Sequence, residues 1–260
     1  MPSFPLRYVV PNAITCASLT LGLVSVFQAM AGAFEEACWL VMWCVLFDKL
    51  DGSMARVLRA SSSFGVQLDS FSDFVTFGLA PAFLVHALLT TPGEVGTLYL
   101  DGALFTWILR VSIVVFVLAS CLRLAKFNVL TDRLGGDYFL GMPTTMAGAF
   151  IVTYILTVRK YDLPVELILV LPGIFVALAL LMVANFKLPK AKVSGTLPQR
   201  VFQIANFTGV YVCGLLWIFP EYLLATGVTY MIVGAAWGAV KLRDMPGWPL
   251  PPAAPSGDDA

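Results

Sequence analysis

The sequence predicts an all-α protein: a polytopic integral membrane helical bundle of about eight transmembrane helices. Three observations carry this. Of the 260 residues, 59% are hydrophobic and only 12% are charged, about half the charge of a soluble domain. The apolar residues gather into eight stretches of about the ~20 residues that a spanning helix needs. Lysine and arginine crowd onto alternate connections between those stretches, as expected where basic loops are retained on one side of a bilayer. The formal net charge is zero, which suggests no polyanionic partner such as nucleic acid.

The stretches run approximately over 12–31, 35–58, 66–90, 103–128, 141–160, 164–185, 203–219 and 222–241. The first opens on Pro11-Asn12, proline in a first turn with Asn12 or Thr15 available as cap, and its lack of a cleavage pattern marks it as retained. The third is preceded by Ser61-Ser62-Ser63, a cap before Gly65, and His86 in its apolar half reads as a packing or interhelical hydrogen-bond residue. In the fourth, Arg110 snorkels or pairs inside the bundle. Between the sixth and seventh, Lys187-Leu188-Pro189-Lys190-Ala191-Lys192 is a basic loop able to attract anionic headgroups. Cys16, Cys38, Cys44, Cys121 and Cys213 lie inside apolar stretches without paired spacing, which suits packing rather than a disulfide or zinc framework. No soluble domain fits, so residues 1–243 form one membrane domain. The proline-rich segment 244–260, with Asp258-Asp259, reads as a disordered tail.

Alternate connections place twelve basic residues on one side: Arg7, Arg56, Arg59, Arg123, Lys126, Arg133, Lys187, Lys190, Lys192, Arg200, Lys241 and Arg243. Only Arg159 and Lys160 fall on the other side, while Lys49 and Arg110 lie within spans. The positive-inside rule then puts both termini, and the acidic stretch described next, on the cytoplasmic face of the plasma (inner) membrane.

Four carboxylates at the edge of a bilayer demand an explanation. Asp48 and Asp51 are three apart, Asp69 and Asp73 four apart, so each pair shares one face of its helix. Two such helices side by side would converge four acids. Oxygen-only ligand sets of this kind suit Mg2+ or Mn2+, and four shared acids could hold two ions. Gly52, Ala55 and Arg56 continue a bare strip beside the acids with a guanidinium at its end, and Gly65 precedes Asp69 and Asp73 at the same four-residue interval. Glycine in a helix costs about 1 kcal/mol against alanine, and close approach of a ligand to the backbone is its natural return. Metal, a smooth wall and an arginine able to bind phosphate oxygens bidentately together describe a diphosphate site.

The pattern D-x2-D-G-x2-A-R-x8-G-x3-D-x3-D, complete from Asp48 to Asp73, resembles the signature of the CDP-alcohol phosphotransferase family of integral membrane enzymes. Its eight fixed positions, at roughly one in twenty each, would coincide by chance about once in 10^10 starting points. The resemblance implies a six-helix catalytic core, two divalent ions on Asp48, Asp51, Asp69 and Asp73, and Asp73 as general base. It also implies a CDP subsite built from Pro11, Asn12, Thr15, Gly52, Ser53, Ala55, Arg56, Ser62 and Gly65. Further segments, F-D-K-L-D-G, L-D-S-F-S-D-F-V-T-F-G-L-A-P, R-L-A-K-F-N-V and F-L-G-M-P, are similar to the phosphatidylserine synthase branch. That implies CDP-diacylglycerol and L-serine as substrates, Arg123, Lys126 and Asn128 as serine-binding residues, and a homodimer. Two positions depart from the branch, Thr145 where proline is common and Ser18 where asparagine is, and neither touches the four aspartates. The competing readings are a sister enzyme using glycerol 3-phosphate, inositol phosphate or choline, and a divalent-cation transporter. A transporter would be expected to show internal repeats and midplane acids, and neither is present.

Overall fold

A computed structural model describes residues 6–91, 103–131, 138–190 and 196–242. The helices are α1 (Val9–Met30), α2 (Phe34–Val57), α3 (Ser63–Asp73), α4 (Ala80–Thr90), α5 (Ala103–Thr131), α6 (Thr144–Lys160), α7 (Glu166–Leu169), α8 (Leu171–Val183), α9 (Leu197–Leu216) and α10 (Pro220–Lys241). A π-helical segment, Phe74–Leu79, joins α3 to α4 without a break, and two short strands, β1 (Tyr138–Leu140) and β2 (Lys187–Pro189), complete the described residues. The tail 244–260 lies outside them.

Each apolar stretch read from the sequence is helical, with boundaries moved for physical reasons. The helix α1 begins at Val9 without a side-chain cap, so Asn12 and Thr15 stand inside the helix rather than capping it. The stretch 164–185 is broken at Val170, because Pro172 has no N–H to give to the carbonyl of Ile168 four residues back. The helix α9 starts early, at Leu197, where Thr196 and Gln199 form a reciprocal capping box. Val9–Met30, Ser63–Thr90, Ala103–Leu130 and Pro220–Lys241 are long and apolar enough to cross a membrane. The helix α2 is long enough but carries Glu35, Glu36, Asp48, Lys49 and Asp51, while α6 and α8, at 17 and 13 residues, are shorter than a full span.

The first two helices pack through small residues. Ser18, Gly22, Ser25 and Ala29 line the buried face of α1, which allows the close backbone approach typical of helices in a bilayer. There Ser25 Oγ donates to the Ala37 carbonyl at 2.8 Å and Cys44 Sγ to that of Ser18 at 3.3 Å. The core beyond is aromatic and aliphatic: Phe34, Phe77, Leu84, Phe116, Ile151 and Phe175 are almost wholly buried, with the Phe116 and Phe175 rings 4.7 Å apart. Leu104, Trp107, Val111, Val114 and Leu118 on α5 are exposed, the outward apolar face of a lipid-bathed helix, and Arg110 lies on that face over the Trp107 ring.

The ends of the bundle differ. At one end, Arg159 approaches Glu35 at 3.6 Å and Lys160 approaches Glu221 at 2.8 Å, so the end of α6 meets the starts of α2 and α10. The opposite end carries the aspartates and a ribbon in which β1 pairs antiparallel to β2, Phe139 opposite Leu188. The ribbon rests on α10, where Gly238 leaves room for the Lys187 carbonyl and Gly234 for Leu188. Lys187 Nζ closes the contact by donating to the Leu242 carbonyl at 2.7 Å.

Candidate active site

The site forms where α2 hands over to α3. Arg59 takes a left-handed conformation, φ 49°, and the Ala60 N–H returns to the Ala55 carbonyl at 2.8 Å, turning the chain. Ser62 then caps α3, its Oγ accepting from the Gly65 N–H at 3.0 Å, as the serine run predicts. The turn lays α3 beside α2, and one carboxylate oxygen from each of Asp48, Asp51 and Asp69 falls within 4.8 Å of the others. Asp73, one turn further along α3, is 9% exposed and within electrostatic reach of Asp48 and Asp69. Thr15 Oγ1 donates to Asp51 Oδ2 at 2.7 Å, so this helix-one residue orients an acid.

The donor set fits a hard divalent cation. It is all oxygen, and among the described residues the one ion pair to any of the four acids is from Lys49, 3.4 Å from Asp48 with a side chain 58% exposed. A well-hydrated ammonium offsets little of the repulsion among carboxylates gathered this closely; one or two bound divalent ions would offset much of it.

The strip beside the acids is open. A Cβ on Gly52 would meet only Arg56 Nη1, at 3.7 Å. Ser53 Oγ donates to the Lys49 carbonyl at 2.7 Å and accepts from Arg56 Nη2 at 3.2 Å, so the exposed guanidinium is steered along the strip. Ala55 continues it, half-buried. Gly65 faces both Ser62 Oγ and Asn12 Oδ1, 3.2 and 3.3 Å from where its Cβ would stand. The start of α1, with Pro11 buried, is thereby brought against the start of α3.

Below Asp73 the helix widens into the π segment. Pro81 supplies the reason: it cannot donate to Phe77, and its ring crowds that carbonyl. Three glycine contacts clamp this segment. Gly22 of α1 meets Thr76, Gly148 of α6 meets the backbone of Phe77, and Gly78 itself meets Ser120 of α5.

The residues expected to hold serine separate into different environments. Arg123, 6% exposed, lies 4.9 Å from the Phe127 ring and 6.0 Å from the Phe139 ring, with Asp73 and Asp48 within electrostatic reach. Lys126 Nζ donates to Asn185 Oδ1 at 2.6 Å and to the Val183 carbonyl at 3.3 Å, tied to the end of α8. Asn128 Nδ2 donates to Ser70 Oγ at 2.9 Å, beside the acid-bearing face of α3. Sequence reasoning passed over Thr144, which is fully buried with its hydroxyl unbonded. A threonine directly after Met142-Pro143 at a helix start was the available signal.

The sequence profile of the CDP-alcohol phosphatidyltransferase family matches residues 8–184. The chain is similar to the CDP-diacylglycerol--serine O-phosphatidyltransferase of Helicobacter pylori strain J99, 35% identical over 193 residues, covering 74% of this chain and 76% of that one. It is 31% identical over 182 residues to the archaetidylserine synthase of Methanothermobacter thermautotrophicus, 69% of each. It is 25% identical over 225 residues to the CDP-diacylglycerol--serine O-phosphatidyltransferase of Methanocaldococcus jannaschii, 86% of this chain and 92% of the other. Profile, relatives and the convergence of Asp48, Asp51 and Asp69 lead to one conclusion: the chain belongs to the CDP-alcohol phosphatidyltransferase family.

Proposed function

We propose that the chain transfers the phosphatidyl group of CDP-diacylglycerol to L-serine, giving phosphatidylserine and CMP. The observation that carries this is the meeting of Asp48, Asp51 and Asp69 around one point, beside a glycine-lined strip ending in Arg56 and at one end of a lipid-facing bundle. A substrate with a diphosphate at headgroup level and acyl chains among the helices fits that arrangement. The activities named for the relatives favour serine as acceptor.

Asp48, Asp51, Asp69 and Asp73 would hold two Mg2+ or Mn2+ ions, which when bound supply positive charge to the diphosphate as charge builds on it. Gly52, Ser53 and Ala55 give the CDP moiety a wall without bulk, Arg56 pairs with its phosphate oxygens, and Ser62, Gly65, Pro11, Asn12 and Thr15 border it from α3 and α1. The serine hydroxyl oxygen attacks the phosphatidyl phosphorus, the bond from that phosphorus to the CMP oxygen breaks, and CMP leaves with the electron pair. Asp73 takes the hydroxyl proton, a base placed in the buried half of the acid cluster. Arg123, with Asp73 within electrostatic reach, would meet the acceptor, and the resemblance adds Lys126 and Asn128 as further serine contacts. The basic bias of the loops supports a cytoplasmic site and termini in the inner membrane, and the family resemblance supports a homodimer.

Purified protein, CDP-diacylglycerol and Mn2+ or Mg2+ are assayed in parallel with labelled serine, glycerol 3-phosphate, inositol phosphate and choline. Metal-dependent labelling of lipid from serine alone is expected. Labelling from another alcohol instead would replace the acceptor while leaving the family chemistry in place.

A further inference from the structure

A cavity lies at the end of the bundle away from the aspartates, and the transfer chemistry makes no use of it. Its volume is about 320 Å3, and it is lined by Glu35 and Trp39 of α2, Leu156 and Lys160 of α6, and residues 217–220 of the hairpin between α9 and α10. Roughly 20 Å of α2 separates Glu35 from Asp48, so the cavity is distinct from the diphosphate site. One of its walls, the α9–α10 hairpin, also lies beyond residue 184, where the family match ends.

The cavity has an aromatic floor and a charged rim. Trp39 is buried, and Trp217 stacks on it with ring centroids 6.1 Å apart and planes 6° from parallel. The hairpin holds Trp217 and Phe219 in left-handed backbone conformations, which bulky residues rarely adopt. That backbone sets the first ring on Trp39 and the second 5.1 Å from Lys160 Nζ. Lys160 Nζ donates to both carboxylate oxygens of Glu221, at 2.8 and 2.9 Å. Glu35, its side chain 59% exposed, lies 3.6 Å from Arg159. The carboxylates of Glu35 and Glu221 and the cations Arg159 and Lys160 leave the rim with no net charge. Indole rings beside charged groups at a helix end match the headgroup level of a bilayer, wet on one side and apolar on the other. A ligand suited to this rim carries both signs. Its ammonium would find Glu35 and the indole faces, and its phosphate the side of Lys160 and Arg159. A purely anionic headgroup would gain from the two cations and lose to the two carboxylates.

We propose that this cavity binds the headgroup of a zwitterionic phospholipid, an ammonium linked to a phosphate diester, from the leaflet opposite the diphosphate site. The acyl chains would lie along Val212, Leu215 and Leu216, which α9 exposes beside the hairpin. A lipid so placed bridges α2 and α6 to the hairpin and takes no part in phosphatidyl transfer.

The full chain, delipidated in detergent, is titrated in separate arms with palmitoyl-oleoyl phosphatidylethanolamine, with the anionic phosphatidylglycerol of the same chains, and with phosphoethanolamine lacking chains. Native mass spectrometry counts the bound molecules, and thermal unfolding is followed in parallel. The ethanolamine lipid is expected to bind at least about fivefold more tightly than the glycerol lipid and to raise the unfolding temperature, while phosphoethanolamine does neither. Glu35→Gln and, separately, Trp217→Leu should bring the two lipids within about twofold of each other, with transfer activity in detergent within about twofold of the wild type. Glu35→Gln keeps the size of the side chain and is read alone if Trp217→Leu does not fold. Equal binding of the two lipids by the wild type, a preference that survives Glu35→Gln, or a loss of transfer in that variant overturns the site. Phosphoethanolamine binding as tightly as the lipid overturns the lipid as its occupant.

Discussion

At the scale of single residues, the acids act as a set and the strip acts by being empty. Each of Asp48, Asp51 and Asp69 contributes an oxygen to one small volume, so Asp48→Ala, Asp51→Ala or Asp69→Ala should each lower kcat by at least about a hundredfold. The check is labelled-serine transfer under saturating Mn2+, and substantial turnover in any of the three would remove that residue from the ligand set. Asp73→Asn should still bind CDP-diacylglycerol but lose transfer, because an amide can accept a hydrogen bond but cannot take a proton; near-normal kcat would refute it as base. Gly52→Leu should raise the KM for CDP-diacylglycerol by about tenfold or more with the fold intact, since at present only Arg56 borders the space its side chain would fill. The acids were legible in the sequence because intervals of three and four residues fix a helix face without knowledge of anything else. Arg123 was legible as a cation but its surroundings were not, since Phe139 reaches it from a strand whose pairing partner lies far along the chain.

Among the elements, the helix from Ser63 to Thr90 is the one on which the site depends, and its π segment is clamped from three sides. Pro81 was visible in the sequence, but which of the possible responses to a helical proline would occur depended on neighbours. Gly22, Gly148 and the Gly78–Ser120 contact hold the widened turn in place. Gly148→Leu would drive a side chain into the Phe77 backbone and push α6 away from the turn that follows Asp73. It should destabilise the protein by about 1–3 kcal/mol and depress transfer with serine. Gly173→Ala is the control: nothing lies within 4 Å of the added methyl, and helix propensity predicts a gain of up to about 1 kcal/mol. Thermal unfolding in detergent alongside the activity assay separates the two, and a Gly148→Leu protein as stable and active as wild type would show that the clamp is not needed. The β1–β2 ribbon escaped the sequence reading because strands of three residues carry no usable periodicity; it exists because Gly234 and Gly238 let α10 lie against it.

For the whole molecule, the eight apolar stretches and the order of their ends were legible because spanning length and loop charge act on long segments and tolerate local error. What remained hidden depends on single contacts, such as the hairpin between α9 and α10, where Trp217 and Phe219 both adopt left-handed backbone, φ 59° and 50°, and Trp217 stacks on Trp39 at 6.1 Å. The arrangement of ends carries a prediction about orientation. Arg159 and Lys160 meet Glu35 and Glu221 at the end away from the aspartates, while twelve of the sixteen lysines and arginines fall on the sequence connections that alternation assigns to the other side. The positive-inside rule counts lysine and arginine whether or not they are paired, and the expected orientation puts the aspartates on the cytoplasmic side. In a background with its five cysteines replaced, a cysteine at Leu163, exposed at the far end, should react with an impermeant maleimide on intact cells. One at Ser61, exposed in the turn between α2 and α3, should react only after the membrane is opened. Labelling of Ser61→Cys from outside would place the diphosphate site on the face where no cytoplasmic substrate can reach it, and the proposed reaction could not proceed in that orientation.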